Sequence, residues 1–388
     1  MALDITILIP ARDAAATIER CVRSLLDQDT AQIILIDDFS SDDTVARAQS
    51  IAGSLLKVVS PAEHINVPHA RNAGLEAVKT RYGIWCDADD CYLPGRVQRL
   101  YHRLQNEDID FISDAQELYD GKTGEKLRNL PIPAFIQSNR DKARLFERNY
   151  LPGIGHIAFD VELARKVGYD AEQFGGDDSD FVFRLIAAGA RMGVCHEIGY
   201  RMYAYPGSDS RNIARQKKMV ARALQKHDYT FVQSLYQAAG FSDRVTHWGL
   251  TSMAIFREDH QAALDFLESA SPSDCDENQI LEPDGPYPLP EGWRRSFTRG
   301  TLYLLLAEPT LAITHLEKCL SCHQSADTHN NLGLAYAQQG ETARAKQHFE
   351  KALTLFPGYI DALTNLAPNS RPAVTTHPLR LQPSRSDY

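Results

Sequence analysis

The chain has 388 residues, 43% hydrophobic and 9% aromatic, and a formal net charge of −10. This length predicts two domains, and the apolar fraction is sufficient for folded cores, which excludes a disordered protein. The acidic balance argues against a nucleic-acid-binding protein, because such proteins usually carry a basic surface.

The chain shows no pattern typical of membrane insertion or export. Its longest apolar runs, at residues 5–10 and 302–307, are far shorter than the roughly 20 residues that cross a bilayer. The N-terminal region lacks a basic start and is interrupted by Asp4 and Pro10, unlike a signal peptide. The seven scattered cysteines indicate reduced thiols. We therefore expect a cytoplasmic protein without a membrane span.

Residues 1–90 alternate between strand and helix patterns. Buried strands are predicted by short apolar runs at residues 4–9, 33–36, 55–59 and 82–86. Between them, helices are predicted at 18–26, from 40–43 onward to Gly53, and at 70–78. This alternation predicts an α/β fold, a parallel sheet covered by helices.

The region beyond residue 90 continues with mixed patterns. Residues 96–105 have helical spacing, and residues 121–124 predict a hairpin turn between strands. A second helix, predicted at 178–188, begins in a cluster of carboxylates. Residues 211–235 are polar and helical, so we expect the first domain to end near residue 215 and a helical linker to cover 216–243.

From residue 244 onward, small and aromatic residues recur at the spacing of a 34-residue tetratricopeptide repeat. The stretch that starts at Ala326 fits best, with His329 in place of the usual Trp. Its packing positions hold Leu332, Gly333, Tyr336, Ala345, Phe349, Ala352 and Pro357. Residues 300–319 fit less well, and a degenerate unit is predicted near 263–270. We expect an all-α repeat domain at 244–367 and a disordered tail at 368–388.

Acidic clusters follow two of the predicted strands. Asp37 and Asp38 end the second strand, and residues 87–90 (Asp-Ala-Asp-Asp) end the fourth. Ligands of such sheets bind at the carboxyl ends of the strands. The turn after the first strand lacks a glycine-rich phosphate loop, so a divalent cation held by Asp87 and Asp89 would contact the phosphates instead. The alternative is that these acids only cap the next helix.

Two further carboxylates are candidates for specific roles. Asp38 can accept from the imide N–H of a uracil ring; the alternative is helix capping together with Ser40 and Ser41. Asp178 can act as the general base for attack by a hydroxyl group. The alternative is that the acids at residues 177, 178 and 180 only suit the dipole of their helix.

Residues 1 to about 215 resemble a family 2 glycosyltransferase with the GT-A fold. The matching segments are residues 5–10, 34–44, Arg71-Asn72-Ala73-Gly74, residues 87–90, 168–178 and 201–208. The last of these is similar to a segment that closes over the donor. Two positions differ from the family pattern: Arg12-Asp13 stands where Tyr-Asn is frequent, and Asp177 where Glu is usual.

The resemblance implies an inverting single displacement that depends on Mn2+ or Mg2+. It places Pro10 and Asp38 at the base pocket and Arg71 near the nucleotide. It further implies that Asp87, Ala88 and Asp89 contact the donor, with the two acids holding the metal. By the same resemblance, Asp178 is expected to be the catalytic base.

The sequence therefore predicts transfer of a hexose or N-acetylhexosamine from a nucleotide-sugar, with UDP favoured, to a glycan, peptide or protein. The repeats would mediate homodimerisation or bind a protein partner, and no nucleic acid is expected. The alternative is a repeat-based scaffold with an inactive glycosyltransferase-like domain.

Overall fold

A computed structural model describes residues 2–64, 66–205, 213–269, 278–282, 284–286, 288–367 and 370–376. The chain divides into two compact units, Met1–Leu235 and Tyr236–Tyr388. The first is α/β and the second is helical, as the sequence predicts. Among the helices in these described ranges, none has both the length and the apolarity needed to cross a bilayer.

The strands of the first unit form a mixed sheet. They are β1 (Leu3–Ala11), β2 (Thr30–Asp37), β3 (Leu56–Val59), β4 (Tyr82–Trp85), β5 (Cys91–Tyr92), β6 (Phe111–Asp120), β7 (Lys126–Leu130), β8 (Ala158–Asp160) and β9 (Met192–Ala204). Within the described ranges the order is β3-β2-β1-β4-β8-β6-β9-β5, and β7 pairs with β6. The first four strands are parallel, and β8 runs antiparallel to β4 and β6. This sheet confirms the predicted α/β fold with flanking helices.

Helices cover the sheet. They are α1 (Ile18–Leu25), α2 (Thr44–Ala52), α3 (Val67–Ala77), α4 (Arg96–Asn106), α5 (Val161–Val167), α6 (Asp177–Ala187) and α7 (Ile213–Gln225). A further helix, α8 (Tyr229–Ala238), crosses the division between the units. The predicted strands, helices and the hairpin turn between β6 and β7 all occur close to their expected positions.

Close packing of α3 on the sheet brings the middle of this helix to the strand ends. A Cβ atom at Gly74 would lie 2.4 Å from Cδ1 of Ile36 and 3.2 Å from Cδ2 of Leu8. Only glycine allows this approach, because any side chain at this position would collide with the side chains of β1 and β2. Arg71, almost one turn earlier, is thereby held near the carboxyl ends of the strands.

The predicted helical linker is helical, but its first part belongs to the first unit. Lys226, directly after α7, lies 2.6 Å from both Oδ2 of Asp170 and Oδ1 of Asp180. The side chain of Gln173 donates to the carbonyl of Met219 at 2.9 Å. These contacts fix α7 and Lys226 on the first unit, which extends to Leu235.

The second unit consists of helices, each of which packs against the next one along the chain. They are α9 (Asp243–Phe256), α10 (His260–Ser269), α11 (Glu291–Leu305), α12 (Pro309–Cys322), α13 (Ala326–Gln338), α14 (Thr342–Leu355) and α15 (Ile360–Leu366). A Cβ atom at Gly300 would lie 2.7 Å from Cγ of Leu316, and one at Gly333 would lie 2.5 Å from Cε1 of Phe349. These glycines let the two helices of a pair approach closely, as in a helical repeat.

Part of the predicted disordered tail is packed on the repeats. Residues 370–376 lie against α13 and α15, and Thr375 is buried there. Asparagine side chains of the helices bind the backbone of this segment. The remaining tail residues, 368–369 and 377–388, lie outside the described ranges.

Candidate active site

Residues 87–90 form a turn between β4 and β5. The backbone N–H of Asp87 donates to the hydroxyl of Tyr200 at 3.1 Å, and that hydroxyl donates to Oδ2 of Asp90 at 2.9 Å. The backbone N–H of Tyr203 donates to the other carboxylate oxygen of Asp90 at 2.8 Å. Strand β9 thus fixes both ends of the turn.

A histidine from a distant loop joins this turn. Asp87, Asp90 and His156 each offer one ligand atom, and these atoms lie within 4.8 Å of one another. Nε2 of His156 is 3.0 Å from Oδ2 of Asp87 and 4.0 Å from Oδ2 of Asp90. Nδ1 of the same ring is 2.9 Å from Nε2 of Gln116. Carboxylate and imidazole groups in this arrangement can hold a divalent cation.

Asp89 lies outside this cluster and is half-buried. Burial and the negative charge of Asp87 raise the pKa of Asp89 to about 6. Burial also disfavours the charge of Asp87, but His156 and Arg71 lower the pKa of Asp87 to about 2. Among the side chains in the described ranges, none forms an ion pair with Asp89. Because a bound cation would offset this charge, the turn fits a divalent metal.

Arg71 connects the turn to the acids at the start of α6. Its buried guanidinium lies 3.7 Å from Oδ1 of Asp87 and 3.4 Å from Oδ2 of Asp177, and it also contacts Oδ1 of Asp178. Burial disfavours the charge, but Tyr169, Asp177 and Asp87 raise the pKa of Arg71 above its ordinary value. Three predicted site residues, Arg71, Asp87 and Asp178, are therefore in direct contact.

The candidate base, Asp178, lies in the first turn of α6. Its side chain is 33% exposed, so a substrate can reach it. A Cβ atom at Gly155 would lie 2.6 Å from Oδ2 of Asp178. Asp180, two residues later, is instead buried and paired with Lys226. Only part of the acidic cluster is thus used to anchor the helix, and Asp178 remains available for chemistry.

Asp38 lies at the end of β2 with one carboxylate oxygen free for a ligand. Oδ2 of Asp38 is 2.7 Å from Nδ1 of His64, whose ring also contacts Arg12. Oδ1 is buried and has no hydrogen-bond partner within the described ranges. Pro10, next to the end of β1, is paired with Ile36 of β2 and is half-buried. A buried acceptor without a partner is costly, so a ligand N–H at this position would stabilise the site.

Other residues supply the hydrogen bonds that helix capping would require of Asp38. The N–H of Ser40 donates to Oδ1 of Asp37 at 3.3 Å, and the N–H of Thr44 donates to Oδ1 of Asp42 at 3.0 Å. The side chain of Asp13 accepts from the N–H of Ser41 at 2.7 Å. Capping therefore does not explain Asp38.

Three further points concern the residues that the sequence predicts for this site. The side chain of Ala88 packs in the apolar core, so only its backbone is left to contact a donor. His64 and His156 were missed, and no spacing around either residue marks it as functional. Residues 206–208 of the segment similar to a donor-closing loop lie outside the described ranges.

Two segments of the chain match known sequence families. Residues 6–167 match the model of glycosyl transferase family 2, and residues 326–359 match that of the tetratricopeptide repeat. Over 229 residues the chain is 28% identical to the succinoglycan biosynthesis protein ExoO of Rhizobium meliloti (strain 1021), which covers 54% of this chain and 63% of ExoO. It is 32% identical to ExoU of the same strain over 213 residues, 51% of this chain and 61% of ExoU.

The chain therefore spans less than two thirds of the length of these two relatives. Among solved structures, S. aureus TarS 1-349 is similar at a TM-score of 0.48 and 12% identity, covering 92% of this chain and 93% of that one. The similarity to glycosyl transferase family 2 thus lies in the first unit, and the similarity to the tetratricopeptide repeat lies in the second.

Proposed function

We propose that the protein transfers a hexose or N-acetylhexosamine, with inversion, from a UDP-sugar to a hydroxyl group of a glycan, peptide or protein. The contact of Arg71 with both Asp87 and Asp178 carries this proposal. The buried guanidinium of Arg71 thus lies between Asp87, on the donor side, and Asp178, the candidate base. The two relatives are named for succinoglycan biosynthesis, which favours a glycan among the acceptors.

The reaction needs a base beside the attacking hydroxyl group. The acceptor oxygen bonds to the anomeric carbon while the bond from that carbon to the diphosphate oxygen breaks. Asp178 takes the proton of the hydroxyl group, and the nucleoside diphosphate leaves. The first turn of a helix stabilises negative charge, so the start of α6 suits a carboxylate in this role. A single displacement inverts the anomeric configuration.

The end of β2 supports a uridine donor. The free Oδ1 of Asp38 can accept from the imide N–H of uracil, while His64 fixes the other oxygen. Pro10 would border the base, and the backbone at Ala88 would contact the sugar-diphosphate. Arg71 lies between Asp87, at this edge of the sheet, and the candidate catalytic base Asp178.

The turn of residues 87–90 supports a divalent cation. Asp87 and Asp89 would hold Mn2+ or Mg2+, and Asp90 and His156 offer further ligand atoms. When bound, the metal would neutralise charge on the leaving diphosphate.

The test is nucleotide release from a panel of UDP-, GDP- and dTDP-sugars, with Mn2+, Mg2+ or EDTA. The unsubstituted chain is compared with Asp89→Ala and Asp178→Asn, and the exposed Asp27→Asn serves as the matched control. We expect metal-dependent release from a UDP-sugar that both site variants lose and the control retains. If a nucleotide-sugar binds but no condition gives turnover, the chain is a scaffold with an inactive domain. If no nucleotide-sugar binds, the proposed donor site is contradicted.

The repeats would recruit a protein partner or a second copy of the chain. Sedimentation of the purified chain tests the second copy, because a homodimer has twice the mass of the monomer.

A further inference from the structure

Phe174 lies in the loop that leads into α6, and its side chain is 50% exposed. The candidate base, Asp178, follows four positions later in the first turn of α6, so the two Cα atoms are at most about 14 Å apart. Exposure of a single apolar side chain is ordinary on a protein surface. An exposed aromatic ring this close to the base, however, is within reach of a substrate that the base contacts.

The backbone of this loop is fixed on both sides of the exposed ring. Gln173 is fully buried, and its side-chain amide donates to the carbonyls of Gly175 and Met219, each at 2.9 Å. Earlier in the loop, the side chain of Asn66 donates to the carbonyl of Ala171 at 2.8 Å. The residue between these anchors has one defined backbone position, so its ring loses little conformational freedom when it binds a ligand.

Two consecutive glycines bring the loop onto α7. Gly175 and Gly176 have φ angles of +94° and +61°, which other residues rarely adopt. A Cβ atom at Gly175 would lie 3.2 Å from Cγ of Met219, and one at Gly176 would lie 3.3 Å from the backbone nitrogen of Val220. The chain therefore turns from the exposed ring into α6 within two residues, against a fixed helix.

The ring of Phe174 carries a cation on one side. Cζ of Arg215, on α7, lies 4.6 Å from the ring centroid. A guanidinium at this distance makes a cation–π contact, which holds the ring in one orientation. Because half of the side chain is still exposed, part of the ring surface is open to a second group. The negative face of an aromatic ring attracts polarised C–H groups.

A pyranose ring offers such C–H groups. Its hydroxyl groups suit the polar and charged side chains of a binding site, whereas the C–H groups on one face of the sugar suit an aromatic ring. The neighbouring oxygens polarise these C–H bonds, which strengthens the contact. A flexible peptide has no comparable rigid face of C–H groups. An exposed phenyl ring beside the base therefore favours a glycan over a peptide as the acceptor.

We propose that Phe174 binds the acceptor by packing against the C–H face of a pyranose ring, in a glycan whose hydroxyl group lies beside Asp178. This inference rests on the proposed function, and it narrows the acceptor from a glycan, peptide or protein to a glycan. The phenyl ring takes no part in bond making; it places the attacking hydroxyl group at the base. Its loss should therefore raise KM for the acceptor and leave donor binding unchanged.

The test measures nucleotide release from the UDP-sugar with and without methyl glycosides of glucose, galactose and N-acetylglucosamine. We expect at least one glycoside to accelerate release by the unsubstituted chain. Phe174→Ala and Phe174→Leu should lower kcat/KM for this glycoside about tenfold, mainly through KM, and Phe174→Tyr should retain it, because stacking needs an aromatic ring. If no glycoside accelerates release from a donor that is hydrolysed, or if Phe174→Leu behaves like the unsubstituted chain, the proposal is wrong.

Release without an acceptor separates this proposal from the proposed function. All three Phe174 variants should hydrolyse the UDP-sugar at the unsubstituted rate, because the proposed donor site does not include this ring. Leu26→Ala is the matched control: the side chain is 38% exposed at the end of α1, and the variant should match the unsubstituted chain in both assays. A chain that hydrolyses no nucleotide-sugar contradicts the proposed function, whereas an unchanged acceptor KM in Phe174→Ala contradicts only the role of the ring.

A second measurement needs no turnover. In the Phe174→Trp variant, a methyl glycoside added in the presence of UDP and Mn2+ should change the fluorescence of the new indole. The unsubstituted chain, which has three tryptophans, gives the background to be subtracted. A difference signal that stays constant up to the glycoside concentration that saturates release would overturn the proposal.

Discussion

Nδ1 of His64 lies 2.7 Å from Oδ2 of Asp38, at the end of the second strand of the sheet. This contact leaves the buried Oδ1 of Asp38 free for a ligand. His64 is thus a positioning residue for the proposed uracil contact, and its role can be separated from that of the base.

His64→Ala should raise KM for the UDP-sugar about three- to tenfold, with kcat nearly unchanged, because the carboxylate loses the contact that orients it. Steady-state kinetics with varied donor check this. The exposed His196→Ala is the control and should match the unsubstituted chain. A loss confined to kcat would contradict the assignment.

His156→Ala should weaken Mn2+ binding about tenfold or more, because the variant loses one ligand atom and the group that faces Asp87. Isothermal titration with Mn2+ in the absence of nucleotide measures it directly. An unchanged affinity for Mn2+ would contradict the role of His156 as a ligand and leave the carboxylates of the turn as the candidate ligands. His196→Ala again supplies the comparison.

Gly155→Ala should lower kcat about 10- to 100-fold and leave the donor KM nearly unchanged. The added Cβ would lie 2.6 Å from Oδ2 of Asp178, so the carboxylate must shift, and a displacement of about 1 Å can cost this much. Single-turnover kinetics with saturating donor give the rate. A normal rate in a folded variant would show that Asp178 is not the base.

Arg71→Met should destabilise the first unit by about 1–3 kcal/mol, because it leaves the partly exposed carboxylates of Asp87, Asp177 and Asp178 without their shared cation. Urea unfolding measures the loss. Arg81→Met is the matched control: its side chain is 66% exposed and its ion pair with Asp160 should contribute less than about 1 kcal/mol.

The repeat unit should lose stability in mild acid. Nδ1 of His329 lies 2.9 Å from Nδ1 of His348, and burial and the charges of His348 and Lys351 lower the pKa of His329 from 6.5 to about 4. The unfolded chain therefore takes up this proton first, so the contribution is present above pH 6.5 and is lost as the pH falls toward 4.

His329→Phe should reduce the stability loss between pH 7 and pH 5 by roughly 1–2 kcal/mol, because phenylalanine takes up no proton. Urea unfolding at the two pH values checks the difference. The exposed His323→Phe should behave like the unsubstituted chain. An equal pH dependence in the His329 variant would contradict the assigned cause.

Local sequence patterns predict the secondary structure of residues 1–90 and the edge of the sheet at which the site lies. The apolar runs and helical spacings of residues 1–90 determine strands and helices within a few residues, and the carboxyl ends of parallel strands necessarily meet at one edge. The turn at residues 87–90 and the position of Asp38 could therefore be predicted. Arg71 was identified through the family resemblance, whereas Asp178 was already a candidate base from its place at the start of a predicted helix, and the resemblance supported it.

The remaining site residues depend on tertiary packing. His156 reaches Asp87 across 69 residues of chain, and Asn331 reaches Thr375 across 44. Neither partner has a spacing that would predict the contact, and the tail composition alone favoured disorder. Such contacts arise only when separate elements are brought together by the packing of helices and strands.

The guanidinium of Arg71 is shared by three carboxylates, so a change in charge at one of them alters its hold on the others. Losses from substitution of Asp87 and Asp178 should therefore fail to add in a double-mutant cycle, even though the proposed roles of these acids concern different reactants. Donor loading and acceptor activation would then be thermodynamically coupled steps in this protein.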